Sequence, residues 1–367
     1  MVDLDARAAR LDSHLGVTGH DAVWFARPTA FTWLTGGDNT IGDGDDRCVA
    51  AAGYVPDEAP AFRAVALAGE AERIAEEELP DAFEVERVPW HDSLAEAIIA
   101  GAEGAGAADV AVAGLDRVDA SKLRQPLVAD DVERYRSLAE ETAAAVERVC
   151  QELGGEDAEY EAASALRITL SSGEMSAPVV RVAGNERAEA YRTPPAGADE
   201  LGEYAVVNVT TERAGLHASL TRSVAFDPPD RFEAQFRAAA RIEATALAAT
   251  HEAAESGGTA GDVFEAVQSA YDAVEFPDAW EHGNQGGAVG FSRREWLAAP
   301  GATQEVCAPM GYAYSPVVGG ARSEDTYLVE SGEQPFECLT ATPNWPTFEV
   351  EAVGYDLTLE RHAPYAP

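Results

Sequence analysis

Lysine is almost absent from this sequence, in which Lys122 is the only one among 26 basic residues. Acidic residues outnumber basic ones by 65 to 26, which gives a formal charge of −39 at pH 7. They are spread along the whole chain, a pattern typical of a solvated folded surface. Their mutual repulsion is screened at about 1 M salt, where the Debye length is about 3 Å. The composition predicts a cytoplasmic protein of a halophile; an unusually acidic protein of a non-halophile is the alternative.

Long apolar runs and closely spaced cysteines are also missing. No stretch approaches the ~20 apolar residues of a membrane span, and the opening segment MVDLDARAARLDSHLG is acidic and amphipathic, unlike a signal peptide. The four cysteines lie far apart and fit no metal-ligand spacing. So negative a surface repels nucleic acid and anionic lipid. We therefore expect free thiols, and neither a nucleic-acid nor a membrane partner.

The length of 367 residues is sufficient for two domains. Residues 1–128 alternate strand and helix patterns, which predicts an α/β domain with a parallel or mixed sheet. The segment DASKLRQPLVADD (119–131) is the expected hinge. In residues 129–367 the helix and strand patterns alternate in larger blocks than in residues 1–128, which predicts an α+β domain. Its strands are expected at 177–184, 203–212 and 216–226, and its long helices at about 230–255 and 260–274.

Several motifs in the second half resemble those of the M24 family, which includes methionine aminopeptidase, Xaa-Pro aminopeptidase and creatinase. The stretches SLTRS (219–223), GGAVG (286–290) and RSED (322–325) follow the order of that family's D-x-T-R-T-like, GHGxG and basic-x-E-D motifs. FTWLTGG (31–37) is similar to the YLTG turn of the smaller domain in the aminopeptidase P and creatinase branch. The resemblance implies an α+β pita-bread domain at 129–367 and a creatinase-type α/β domain at 1–128.

The same resemblance implies that the family's metal site has been lost. Members normally bind two metal ions through two aspartates, one histidine and two glutamates. The matching positions here are Asn208, Ser219, Gly287, Ser315 and Glu324. One carboxylate among five positions does not make a catalytic metal site, which needs at least three suitable protein ligands. We therefore expect no metal and no other cofactor.

Two further stretches, WEHGNQGGAVGFSRREW (280–296) and YSPVVGGARSEDTYLV (314–329), are similar to a recurrent metal-poor subgroup of M24-like proteins. That subgroup has H-Q-G-G and G-R-E-W in the first stretch and N-P-S-x-x-G-x-K-S-E-D-T in the second. A family histidine that precedes a proline is replaced by Thr193. The likeness concerns fold and subgroup, and it identifies no reaction.

Three side chains are candidates for proton transfer. Glu324 faces the cavity by family position, where it is either a general acid/base or an acceptor for an arginine. His217 lies on a predicted strand, two residues before Ser219, and is a candidate general base. The alternative for His217 is a surface position or a bond to a carboxylate. His282 belongs to the glycine-rich loop, whose alternative role is a tight turn.

Seven polar or cationic side chains are candidates for substrate binding. Alternation along paired strands would bring the side chains of the former ligand positions together over one face. An arginine there could clamp a carboxylate with two hydrogen bonds, although arginines in an acidic chain usually have ordinary ion-pair partners. The candidates are Asn208, Ser219, Ser315, Gln285, Arg192, Arg222 and Arg293.

Three functions remain open on this basis. The first is a metal-independent hydrolase that cleaves a C–N bond in a small polar substrate, as creatinase does within the resembled family. The second is a non-catalytic protein that binds a small ligand, a short peptide or a partner. The third is a metal-dependent Xaa-Pro aminopeptidase, which the missing ligands disfavour. The resemblance also implies a homodimer.

Overall fold

The computed structural model describes residues 2–41, 48–102, 104–332 and 334–367. These residues form two compact units, Met1–Asp131 and Val132–Pro367. The predicted first domain (1–128) includes residues 1, 42–47 and 103, which lie outside the described residues. In the part of the chain that is described, no helix is both long enough and apolar enough to span a bilayer. Among the described residues, Cys48, Cys150, Cys307 and Cys338 form no disulfide, as expected.

The first unit is built on a mixed six-stranded sheet, as the alternating pattern predicted. The strand order is β4-β3-β2-β1-β5-β6, with β1 and β2 antiparallel and β1 and β5 parallel. These strands are β1 (Ala22–Phe25), β2 (Ala50–Tyr54), β3 (Phe62–Leu67), β4 (Phe83–Val88), β5 (Gly106–Ala108) and β6 (Asp116–Arg117). The helices are α1 (Leu4–Thr18), α2 (Pro28–Thr35), α3 (Ala71–Arg73) and α4 (Leu94–Gly101).

Local chemistry explains how α2 begins and ends. The two residues before it are held by the buried Asp109, whose carboxylate accepts hydrogen bonds from the backbone N–H groups of Ala26 and Arg27. Burial raises the pKa of Asp109 to about 6, against those backbone hydrogen bonds. The helix ends at Gly36, whose φ of 83° suits glycine and lets its N–H bond to Thr32. The FTWLTGG stretch is thus a helix with a left-handed cap.

The second unit carries the motifs and is α+β, as predicted. Its helices are α5 (Ala129–Cys150, which begins in the first unit), α6 (Glu159–Ser171), α7 (Asn185–Ala190), α8 (Asp230–Ser256) and α9 (Ala260–Ala273). Its strands are β7 (Ser176–Gly184), β8 (Tyr204–Arg213), β9 (Leu216–Ala225), β10 (Gly286–Val289), β11 (Met310–Tyr314), β12 (Val317–Val318), β13 (Ala321–Arg322), β14 (Thr326–Val329), β15 (Phe336–Cys338), β16 (Thr347–Glu351) and β17 (Thr358–His362). The predicted strands and long helices match these bounds within one or two residues.

Two antiparallel sheets position the candidate site. One has the order β7-β8-β9 and the other β10-β11-β14-β15. They meet where the backbone N–H of Thr221 bonds to the carbonyl of Glu324, just before β14. Helix α8 contacts α9 and the strands β11 to β14. Its buried alanines, among them Ala239, Ala240 and Ala244, allow this close packing.

Candidate functional site

A row of four polar side chains crosses the sheet and includes Asn208 and Glu324, two positions that the sequence resemblance aligns with metal ligands. Arg181 on β7 is paired with Asn208 on β8, Asn208 with Thr221 on β9, and Thr221 with Glu324. Residues directly opposite each other in antiparallel strands have side chains on the same face. The predicted pairing of the Asn208 strand with the Thr221 strand is therefore confirmed, and Arg181 and Glu324 extend the row at either end.

Glu324 accepts bonds from three side chains of this region. Its Oε2 accepts from Asn208 Nδ2 at 2.8 Å and from Thr221 Oγ1 at 2.9 Å. Its Oε1 has one long contact, 3.4 Å to Arg294 Nη2. The side chain is only 3% exposed. One carboxylate oxygen is thus fixed by neutral donors, while the other keeps capacity to accept a further hydrogen bond.

The polar groups of the next row along the sheet are hydroxyl groups. Ser219 Oγ and Thr210 Oγ1 are 2.8 Å apart. Thr326 Oγ1 accepts from the Ser219 N–H and donates to the Ser219 carbonyl, both at 2.8 Å. These groups are buried and bonded to one another. Ser219, at a family ligand position, therefore belongs to a neutral hydrogen-bond network.

This donor set does not fit a catalytic metal. Amide and hydroxyl groups at Asn208, Ser219 and Ser315 are neutral, and catalytic cations are held by carboxylates and imidazoles. Within the described ranges, no group of three or more His, Cys, Asp or Glu side chains could hold a metal ion. At Gly287 the space for a side chain is filled as well. A Cβ built there would lie 2.3 Å from the carbonyl oxygen of Trp296, so a histidine would require a backbone shift.

His217 lies on the face of Ser219 and Thr221 but apart from Glu324. It pairs with Glu212 across the β8–β9 hairpin, and its Nδ1 is 3.3 Å from the carbonyl oxygen of Gly290. His217 lies four positions before Thr221 on β9, which corresponds to a distance of roughly 13 Å along the strand. Burial lowers the pKa of His217 below 6.5, with Arg293 acting in the same direction and Glu212 against it. The imidazole is neutral at neutral pH and has no contact with the Glu324 carboxylate.

The glycine-rich loop holds its two candidates in different ways. Gln285 is 1% exposed, and its Oε1 accepts from the Tyr271 hydroxyl at 2.7 Å. Its Nε2 donates to the carbonyls of Trp280 and Gly283. Those contacts tie the loop together and leave no free donor for a substrate. His282, by contrast, is exposed at the end of a short 3-10 turn.

The fold brings Arg192 and Ser315 into contact. The guanidinium of Arg192 donates from Nη2 to the carbonyls of Asn284 and Ser315, the latter at 3.1 Å. Its Nη1 is buried without any hydrogen-bond partner. Burial lowers the pKa of Arg192, which Tyr271 and Glu324 oppose. Arg192 is thus a largely buried cation that has no carboxylate partner among the described residues.

Arg222 is directed to the other face of the sheet. Its Nη2 lies 3.0 Å from Asp325 Oδ1 and also donates to the Thr340 carbonyl at 2.8 Å. Arg361 and His362 contact the same carboxylate. Burial alone would raise the pKa of Asp325, but Arg222, His362 and Arg361 together lower it well below its usual range. Arg222 is a member of a buried ionic network, away from the row of Asn208 and Glu324.

Two cavities adjoin the row, and they share Arg181 and Thr193. The inner cavity has a volume of about 20 Å³. Its lining consists of Arg181, Ala183, Ala188, Tyr191, Arg192, Thr193, Pro194, Val206, Asn208, Val317, Gly320 and Arg322. The outer cavity has a volume of about 400 Å³ and includes Arg167 and the exposed Arg293. The cationic candidates Arg192 and Arg293 therefore line neighbouring cavities.

Sequence reasoning missed Arg181 and Arg322 as site residues. Arg322 is 6% exposed and donates one hydrogen bond, to the Arg192 carbonyl at 3.2 Å. Burial, together with the cations Arg192, Arg181 and Arg294, lowers the pKa of Arg322 to about 10, against the opposing effect of Glu324. The RSED motif and the strand alternation around Arg181 were visible in the sequence. The sequence does not show the strand register that places both residues beside Asn208.

Solved structures with this fold come from several kinds of protein. A dipeptidase PepE from Mycobacterium ulcerans is similar with a TM-score of 0.73 at 17% identity, over 93% of this chain and 97% of that chain. A prolidase from Pyrococcus horikoshii OT3 has a TM-score of 0.72 at 16% identity, over 92% and 98%. The N-terminal domain of the FACT complex subunit SPT16 from chickpea has a TM-score of 0.65 at 13% identity, over 94% and 98%.

These similarities define the fold. The chain has the α+β pita-bread fold of the M24 creatinase and Xaa-Pro aminopeptidase group, with a smaller N-terminal α/β unit, as the sequence resemblance implied. No protein-family model matches the sequence, and no curated protein matches it.

Proposed function

We propose that this protein is a hydrolase of the M24 type that cleaves a C–N bond in a small polar substrate without a bound metal. The structural neighbours named as a prolidase and a dipeptidase support hydrolysis of such bonds. The observation that carries metal independence is the donor set, in which Glu324 is the sole carboxylate among the five family positions. Its neighbours Asn208 and Thr221 bind that carboxylate directly and replace the metal as its partner.

Glu324 is the proposed general base. Its Oε1 would take a proton from a water molecule while the water oxygen attacks the carbon of the C–N bond. The proton would then pass to the departing nitrogen, which leaves as a neutral amine and restores the carboxylate. Asn208 and Thr221 hold Oε2 and so fix the direction of Oε1. His217 and His282 have no contact with Glu324, and their catalytic role stays a prediction.

The direct test is turnover of small amidines, N-substituted amino acids and dipeptides by the full chain and by Glu324→Gln. Removal of a general base typically lowers the rate by about 10²- to 10⁴-fold. We expect that loss in kcat with an unchanged melting temperature. Glu337→Gln, which alters a carboxylate paired with Arg136 far along the sheet, is the matched control. Equal activity of Glu324→Gln and the parent would exclude Glu324 as the base.

A second candidate function is ligand binding without catalysis. It is favoured by the two donors that already occupy Glu324 Oε2, and by the occurrence of the same fold in a FACT complex subunit. A fold does not fix an activity. Saturable binding of a small ligand, with no turnover of any C–N substrate tested and no effect of added Mn, Co or Zn, would favour this function over hydrolysis.

A further inference from the structure

The inner and outer cavities, which share Arg181 and Thr193, have an unusual charge. Between them they are lined by Arg167, Arg181, Arg192, Arg293 and Arg322, and by no acidic residue. The chain as a whole has 65 acidic residues and only 26 basic ones. Cations are thus concentrated at this site, although the protein as a whole is acidic. This concentration indicates a function for the cations at the site.

The arginines of the inner cavity also lack the partners that other buried arginines of the second unit have. Arg222 pairs with Asp325, and Arg361 pairs with Glu243. In the described part of the chain, no ion pair includes Arg181, Arg192 or Arg322. A buried charge without a counterion opposes folding. Arg322, which is only 6% exposed, is therefore held at a cost to the free protein.

The hydrogen-bonding capacity of the cluster is equally unsatisfied. Arg192 Nη1 is shielded from solvent and has no hydrogen-bond partner in the part of the chain that is described. Arg322 uses a single donor, to the Arg192 carbonyl. Each guanidinium has five N–H donors in a planar fork that matches the oxygens of a carboxylate or a phosphate. The carboxylate of Glu324, which acts electrostatically on Arg192 and Arg322, is engaged by Asn208, Thr221 and Arg294. The cluster thus has spare donors directed at a small space.

We propose that the inner cavity binds an anionic group of a small ligand between Arg181, Arg192 and Arg322, and that the ligand carries a second negative charge that reaches Arg293 in the outer cavity. The inner cavity, at about 20 Å³, admits one compact group, and the outer one, at about 400 Å³, accommodates the remainder. Large polyanions are excluded by this size and by the overall charge of −39. A dicarboxylate or a phosphorylated metabolite fits.

The charge of the ligand deepens the proposed function, because it names the chemical class of the substrate. It rests on that proposal only for the ligand being a substrate, because binding is measured separately from turnover. In Glu324→Gln, dianion binding should persist or tighten, since a nearby negative charge is removed. Loss of turnover with retained binding supports both ideas, whereas binding without any turnover in the parent overturns only hydrolysis.

The experiment is calorimetric titration of the full chain with succinate, inorganic phosphate and the neutral analogue succinamide at a fixed concentration of KCl. We expect saturable binding of succinate or phosphate and none of succinamide. The preferred anion distinguishes a carboxylate from a phosphate ligand. Absence of saturable binding for both anions, or equal binding of succinamide, would overturn the proposal.

Variants assign the binding to the cluster. Arg192→Gln should weaken dianion binding by about tenfold or more, which is the effect of losing one charged hydrogen bond. Arg192→Lys should recover part of it, because the charge returns without the planar fork. Arg237→Gln, which removes an exposed arginine paired with Glu233, is the matched control and should bind as the parent does. Equal weakening in Arg192→Gln and Arg237→Gln, with both proteins folded, would show that only the overall charge matters.

Discussion

The unpaired state of Arg322 has a consequence for stability that can be measured without any ligand. Burial and three neighbouring arginines lower its pKa from 12.5 to about 10. The unfolded chain therefore holds this proton more tightly than the folded chain does, so the charge opposes folding at every pH below about 10. One pKa unit corresponds to about 1.4 kcal/mol, and the cost is thus on the order of 3 kcal/mol.

Replacing Arg322 with methionine removes the charge and keeps most of the side-chain volume. The substitution also removes one hydrogen bond to the Arg192 carbonyl, worth about 1–2 kcal/mol. The expected result is a free energy of unfolding that is higher than in the parent by about 1–2 kcal/mol. A functional residue that costs stability is a common trade-off at binding sites.

Arg222→Met is the matched comparison, because Arg222 is equally buried but paired with Asp325. Removing it leaves a buried carboxylate short of a partner, and we expect a loss of about 3–5 kcal/mol. Urea unfolding at fixed KCl, with equal slopes for all three proteins, measures both effects. If Arg322→Met destabilises the protein as much as Arg222→Met does, Arg322 is not an unpaired cation that opposes folding.

Three other expectations concern the whole chain and His217. The melting temperature should rise steeply from millimolar to molar KCl because the charge of −39 must be screened, and a constant melting temperature would contradict the halophile interpretation. Because burial lowers the pKa of His217 below 6.5, the unfolded state protonates first as pH falls. Stability should therefore decline from about pH 6.5 downward, and less so in His217→Gln, whereas the exposed His282→Gln should follow the parent. Sedimentation equilibrium in molar KCl should show a dimer, and a clean monomer of 38.8 kDa would exclude it.

Much of the second unit was predictable from the sequence because its elements are long and strongly patterned. The strands at β8 and β9 and the helices α8 and α9 follow from alternation and from helical periodicity. The pairing of Asn208 with Thr221 follows from a hairpin whose turn contains Ala214 and Gly215. Neighbouring residues of a strand point to different faces of the sheet, so alternation also predicts that the side chains of Thr221 and Arg222 lie on different faces.

Other features depend on contacts that a sequence pattern does not contain. Gln285 looked available for a substrate, but its amide is bound by Tyr271 from α9 and by two loop carbonyls. Arg181 reaches the site only through the register of β7 on β8, which includes a bulge between Ser176 and Val179. The closure of the Gly287 position by Trp296 is likewise a tertiary contact. Sequence alone therefore identifies the former ligand positions better than their present neighbours.

We propose that this pita-bread protein works without a catalytic metal. The most direct test is elemental analysis of the full chain that has been incubated with Mn, Co, Zn and Fe and then dialysed in molar KCl. We predict no stoichiometric metal, and a melting temperature that EDTA leaves unchanged, because a metal bound only to the folded state would contribute to stability by mass action. At least one retained metal ion per chain, or hydrolysis of an Xaa-Pro dipeptide that EDTA abolishes and Mn restores, would contradict the account.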